Sequence, residues 1–152
     1  MDAREQIAPS VAPGTPALLH WRSLGDGLLV SFLIAAPSLY TSFVLRDQRE
    51  GVWKPILLIA AVGLLVGGAI AGRHRRAPRG AATQGVVVGL LTASVIVIAD
   101  IIRHAALSKG FSAHTVGLWL GVEAGALLIA TLGGLIGRLR YLRSRKKRAG
   151  SK

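Results

Sequence analysis

The sequence predicts an all-α polytopic membrane protein, with four transmembrane helices in a compact bundle. Two observations support this prediction: half of the 152 residues are apolar, and most of the apolar residues fall into four long stretches. Each stretch is long enough, or nearly so, to cross a hydrocarbon core of ~30 Å as a helix. The predicted spans are residues 24–45, 55–71, 81–102 and 115–137.

The segments outside the spans are too short to bury cores of their own. We therefore expect one transmembrane domain, residues 24–137. Residues 1–23 mix proline, alanine and polar residues without a period, which predicts a disordered cytoplasmic tail. Residues 138–152 contain many cations and no acid, and are predicted to form a basic cytoplasmic tail.

The lysines and arginines are distributed unevenly along the chain. Fourteen of the nineteen lie in the two tails and the second loop, and five lie beside or within the first and third loops. The positive-inside rule places both tails and the second loop in the cytoplasm, which predicts a multi-pass protein of the cell inner (plasma) membrane. Because topology explains the net charge of +12, the charge does not favour nucleic-acid binding.

The residue inventory excludes several kinds of chemistry. There is no cysteine, so disulfides, thiolate catalysis and cysteine-ligated zinc are excluded. The four histidines lie far apart and lack metal-ligand spacing. No catalytic or phosphate-binding motif is present. We therefore expect no enzyme activity, no metal and no cofactor.

Small residues recur every four positions in three of the spans, a spacing that lets helix backbones approach closely. The predicted helix-packing residues are Gly63, Gly67, Gly85, Gly89, Gly117, Gly121 and Gly125. In the fourth span, Gly117, Gly121 and Gly125 form one face, and a second face of small residues lies opposite. The second face is formed by Ala126, Ala130 and Gly134. One face is expected to serve the bundle and the other a homo-oligomer or membrane-protein partner. The alternative is a monomer whose fourth helix touches two neighbours.

The most unusual residue is Glu123, which lies only ~5 Å from the middle of the fourth span. An ionised carboxylate at that depth costs several kcal/mol unless it is paired, hydrated or protonated. Ser94, Ser38 and Tyr40 lie at similar depth and are its expected partners, with Trp119 as a cover. We hypothesise a proton or substrate site that faces the bundle. The alternative is a permanently protonated glutamate in a structural hydrogen bond.

Two further polar features have simpler interpretations. Asp100 lies near the end of the third span and is expected to form an interfacial ion pair with Arg103 and His104. Pro37 is expected to kink the first span, and nearby hydroxyls such as Ser38 can satisfy a freed carbonyl.

The basic residues of the cytoplasmic side are expected to contact anionic lipids, because each cation near that surface is worth ~1 kcal/mol. The predicted contacts are Arg73, Arg75, Arg76, Arg143, Arg145, Lys146, Lys147 and Arg148.

Two short segments resemble parts of small, uncharacterised four-helix bacterial membrane proteins. They are the glycine-rich end of the second span, residues 67–73, and the start of the third, residues 85–91. The resemblance implies a four-helix membrane fold and no particular activity.

Two functions are consistent with these observations. The first is a non-enzymatic accessory, assembly or interaction subunit that packs through glycine-rich helix faces. The alternative is a small proton-coupled transporter that uses Glu123.

Overall fold

The computed structural model describes residues 20–46, 53–75, 77–107, 110 and 112–149. Four α-helices make up almost all of this part of the chain, which contains no strand. They are α1 (Trp21–Arg46), α2 (Trp53–Gly72), α3 (Pro78–Ala106) and α4 (Ala113–Ala149). All four are long and apolar enough to cross a membrane. The predicted fold class, an all-α multi-pass membrane protein, is confirmed.

Helix α1 begins earlier than the sequence predicts. The predicted tail ended at residue 23, but the helix starts at Trp21, and Ser23 is buried. His20 caps the helix: its ring Nδ1 accepts from the backbone N–H of Ser23 at 3.3 Å, and its carbonyl accepts from Leu24 at 3.0 Å. Residues 21–23 therefore belong to the bundle, while residues 1–19 of the predicted tail lie outside the described residues.

Helix α4 continues beyond the predicted span, which ended at residue 137. Its 37 residues extend ~55 Å, well beyond a hydrocarbon core of ~30 Å. Residues 138–149 are rich in arginine, lysine and leucine and contain no proline or glycine, so nothing in this segment stops the helix. Up to Ala149, the predicted basic tail is a continuation of α4.

Helix α2 contacts each of the other three helices. Helix α3 also contacts all the others, whereas α1 and α4 lie apart, with no contact between their described Cα atoms within 8 Å. The end of α2, the start of α3 and the basic part of α4 meet at one end of the molecule, which we call the basic end.

Two glycine faces allow α2 to touch both of its main neighbours at backbone distance. On the α1 side, a methyl group added at Gly63 would lie 2.9 Å from the backbone nitrogen of Ala35. One added at Gly67 would lie 2.6 Å from the carbonyl oxygen of Gly27. Both distances are far below van der Waals contact, so the predicted packing roles of Gly63 and Gly67 are confirmed.

The opposite face of α2 packs on α4. A methyl group at Gly68 would lie 2.9 Å from the carbonyl carbon of Ala130, and one at Gly72 would lie 2.7 Å from the Cα of Gly134. The glycine-rich ends of α2 and of the apolar part of α4 thus lie side by side.

Helix α3 also packs closely against α4 through glycines. A methyl group at Gly85 would lie 2.7 Å from the Cα of Thr131, and one at Gly89 would lie 2.6 Å from the carbonyl oxygen of Ala126. The predicted packing roles of Gly85 and Gly89 are confirmed. The face of α4 formed by Ala126, Ala130 and Gly134 therefore packs between α2 and α3.

The other glycine face of α4 is not used within the chain. Nothing lies within 4 Å of a methyl group added at Gly117, Gly121 or Gly125. Of the two small faces of α4, the one formed by Ala126, Ala130 and Gly134 serves the bundle. The helix-packing role predicted for Gly117, Gly121 and Gly125 is not fulfilled by any contact within the described chain, and Gly121 and Gly125 border a groove beside Leu57 and Leu64 of α2.

Candidate functional site

The sequence-predicted site contains one hydrogen bond between helices. The hydroxyl of Ser94 on α3 donates to Glu123 Oε1 on α4 at 3.1 Å. Both side chains are half-buried, so the pair lies in the seam between α3 and α4 rather than in the centre of the bundle. Glu123 therefore faces a neighbouring helix of the bundle, and Ser94 is one of its expected partners.

The structure does not bring Ser38 or Tyr40 to Glu123, which corrects two further predictions. Ser38 donates to the carbonyl of Ile34 at 2.8 Å, within its own helix. This hydrogen bond goes to the carbonyl four residues earlier, whereas the carbonyl that Pro37 leaves without an N–H partner is that of Leu33. Tyr40 is 39% exposed. Among the described residues no Cα of α1 lies within 8 Å of one of α4, and the hydrogen bond that Glu123 makes is to Ser94.

Trp119 does not cover Glu123 either, because its indole N–H donates to Asp100 Oδ2 at 2.9 Å. Asp100 is 1% exposed and also accepts from Arg103 Nε at 2.9 Å. His104 Nδ1 lies 3.5 Å from Oδ2 and donates to the Asp100 carbonyl at 3.0 Å. The predicted pairing with Arg103 and His104 is confirmed, and the indole is the partner that sequence reasoning missed.

The Asp100 cluster lies at the end of the bundle opposite the basic end. A cavity of about 70 Å³ adjoins it, lined in part by Phe43, His114 and Leu118. The Asp100 carboxylate has hydrogen-bond donors at both oxygens, from Arg103 on α3 and Trp119 on α4. These bonds link α3 to α4. In the described part of the chain, no group of three His, Asp or Glu side chains could hold a metal ion.

Gln84 forms a second buried polar centre, at the basic end. It is the largest fully buried side chain among the described residues. In the amide orientation that satisfies both groups, its nitrogen donates to the carbonyl of Ala71, and its oxygen accepts from the backbone N–H of His20 at 2.6 Å. One side chain thus joins α3 to the end of α2 and the start of α1. A lone glutamine near a span end gave the sequence analysis no reason to select it.

A cluster of ionisable groups lies just outside this centre. Arg73 Nε donates to His74 Nε2 at 3.0 Å, and Arg73 lies 3.8 Å from an oxygen of Asp26. The His74 ring lies 6.0 Å from that of His20 and meets Tyr141 edge-on at 5.6 Å. Burial, followed by Arg73 and His20, lowers the pKa of His74 from its usual 6.5, while Asp26 opposes the shift. A neutral imidazole is also what the Arg73 hydrogen bond requires.

The predicted lipid-contacting cations gather at the basic end where the structure describes them. Arg73 and Arg143 are exposed, and Arg75 is half-buried. Arg76 lies outside the described residues. Arg145, Lys146, Lys147 and Arg148 belong to the last turns of α4, but their side chains lie outside the described part.

In comparisons with protein-family models, curated proteins and solved structures, the chain matches none of them. The resemblance of residues 67–73 and 85–91 to small bacterial membrane proteins therefore stays a prediction. The function has to be argued from the geometry of the chain itself.

Proposed function

We propose that this chain is a non-enzymatic accessory or assembly subunit, which docks against a transmembrane helix of a partner or of a second copy. The observation that carries the proposal is the open glycine face of α4, formed by Gly117, Gly121 and Gly125. These residues occupy three successive turns, with space beside each. Close approach of another helix backbone is the recognised use of such a face in lipid.

Apart from Gly25, near the start of α1, the other helical glycines contrast with these three, which supports this interpretation. In α2, α3 and the remainder of α4, each glycine meets a neighbouring backbone or side chain within 4 Å. Glycine in a helix interior costs ~0.5–1 kcal/mol relative to alanine. At the packed positions, close helix contact offsets that cost. At Gly117, Gly121 and Gly125, no contact within the described chain does so.

A shallow apolar groove of about 120 Å³ adjoins the open face. Leu39 of α1, Leu57 and Leu64 of α2, and Gly121 and Gly125 of α4 line it. The groove lies between side chains of α1 and α2 and the first half of α4. It offers a recess for a side chain of a docked helix, beside a glycine surface that admits the backbone.

The proposed setting is the inner (plasma) membrane of a bacterium, with both termini in the cytoplasm. The support is the concentration of arginines at the basic end, including Arg73, Arg79 and Arg138. Because the natural chain has no cysteine, single-cysteine variants at Arg79 and Gly110 report the topology directly. We expect an impermeant thiol reagent, applied from outside, to label the cysteine at 110 alone. Labelling at 79 alone would reverse the orientation.

The docking proposal is tested by affinity purification in mild detergent, with native mass spectrometry of the wild type and of Gly121→Leu. We expect a stoichiometric partner or a homo-oligomer, which the variant loses. Gly25→Leu is the matched control, because it also adds a leucine to an open glycine, but on α1. A wild-type monomer with no partner, or equal loss in both variants, would contradict the proposal.

A small proton-coupled transporter is the second candidate, and the Ser94–Glu123 hydrogen bond near mid-span favours it. Proton-linked flux into liposomes is the test. A carrier should lose the flux in Glu123→Gln and retain it in Asp26→Asn, which changes an exposed carboxylate at the basic end. An accessory subunit should show no flux in any of the three proteins.

A further inference from the structure

A second groove runs between α2 and α4 and ends at the basic end. It has a volume of about 390 Å³. Val66 and Ile70 of α2 form one wall, and Ile136 of α4 contributes to the other. Its floor is closed, because a methyl group added at Gly137 would lie 2.8 Å from the Cα of Ala69. The groove is therefore a surface trench that faces the lipid, not a passage through the bundle.

The chemistry of this trench changes along its length. Leu65 and the apolar walls line the part inside the membrane, whereas Arg73, Arg140, Tyr141 and Ser144 line the end. The eight residue-to-residue steps from Leu65 to Arg73 correspond to ~12 Å along the helix axis. Arg73 is the first residue after α2, so the polar end lies where the hydrocarbon core gives way to headgroups.

We propose that this trench binds one anionic phospholipid of the surrounding leaflet. An acyl chain would lie along the apolar walls, and the phosphate would sit between the guanidinium groups of Arg73 and Arg140. Arg140 is exposed, and the side chain of Arg73 is 49% exposed, so both can reach a headgroup. Tyr141 supplies an interfacial aromatic at the same level.

Charge and depth together select this ligand. Two arginines face the polar end, and the carboxylate nearest to them, Asp26, lies 3.8 Å from Arg73 and is itself 63% exposed. Basic pockets between transmembrane helices at the cytoplasmic surface suit anionic headgroups. A free phosphate would use the arginines but would leave ~12 Å of apolar trench without a role.

The proposal predicts a discrete lipid adduct. Native mass spectrometry of the purified chain, titrated with phosphatidylglycerol, should show one retained lipid, and phosphatidylcholine should bind more weakly. Arg140→Gln should weaken phosphatidylglycerol binding about fivefold, the effect of losing one cation near the surface. Val66→Trp, which fills the trench, should also weaken it.

Two control variants separate this site from general attraction to a basic surface. Arg79→Gln removes the same charge at the exposed start of α3, at the basic end but outside the trench. Val62→Trp places the same bulk one turn outward from Val66 on α2, at a position 52% exposed. Both should bind phosphatidylglycerol like the wild type, with helicity checked by circular dichroism in all variants.

Several results would overturn the proposal. One is equal weakening by Arg140→Gln and Arg79→Gln, which would indicate diffuse electrostatics. Another is competition by sn-glycerol 3-phosphate at the same concentration as the lipid, which would mean that the trench walls are not used. A third is the finding that a transmembrane helix of a purified partner covers the trench, because the lipid would then be excluded. None of these results bears on whether Gly117, Gly121 and Gly125 dock a partner.

Discussion

Replacing Gly68 by alanine should destabilise the bundle by separating α2 from α4. The added methyl group would lie 2.9 Å from the carbonyl carbon of Ala130 and 3.0 Å from its Cα. Carbon atoms in good contact are ~3.5–4.0 Å apart, so the helices must separate by roughly 0.5–1 Å. A gap of that size forfeits about a quarter to a half of each contact along the interface, and overpacking of this kind costs ~1–3 kcal/mol.

The matched control is Gly25→Ala, because nothing lies within 4 Å of a methyl group at that position on α1. Both substitutions exchange glycine for alanine within a helix, so both receive the same gain in helix propensity, up to ~1 kcal/mol. The difference between the two variants therefore isolates the packing term. We expect Gly68→Ala to be less stable than Gly25→Ala by ~1–3 kcal/mol.

The measurement is unfolding in mixed micelles titrated with a denaturing detergent and followed by far-ultraviolet circular dichroism. Gly68→Leu provides a graded check, since a larger side chain must separate the helices further. If Gly68→Ala and Gly25→Ala unfold at the same detergent fraction, the close approach of α2 to α4 does not hold and the reasoning fails.

Three other substitutions test the two polar ends of the bundle. Asp100→Ala leaves Arg103 without its buried partner and should cost ~3–5 kcal/mol in the same unfolding assay; a loss below ~1 kcal/mol would show that the pair is hydrated. Gln84→Leu leaves two backbone groups unsatisfied and should cost ~1–3 kcal/mol, with faster amide exchange at the start of α1; unchanged exchange would rule out this tether. His74 has a lowered pKa in the folded chain, so its contribution to stability should be complete above pH ~6.5 and decline as the pH falls toward that lowered pKa. His74→Asn should flatten this part of the pH dependence of unfolding, and an unchanged slope would assign it to another group.

Helix ends and polar partners show where sequence reasoning stopped short. The apolar stretches located all four helices, but α1 begins at Trp21 because a ring nitrogen and the carbonyl of His20 cap it, which hydropathy does not report. Depth along a span correctly paired Ser94 with Glu123. The same argument failed for Ser38, because depth says nothing about which way a side chain points.

The glycines show most clearly what the sequence determined and what it did not. The apolar stretches and the placement of arginines determined four membrane-spanning helices, because a backbone in lipid must satisfy its own hydrogen bonds and each stretch is long enough to do so. The spacing of four residues is the same at Gly63 and Gly67 as at Gly121 and Gly125. The first pair touches α1, whereas nothing in the described chain lies within 4 Å of a methyl group added at the second pair. Only the tertiary structure decided this, because packing depends on which helix lies opposite a face, and that neighbour is supplied by residues distant in sequence.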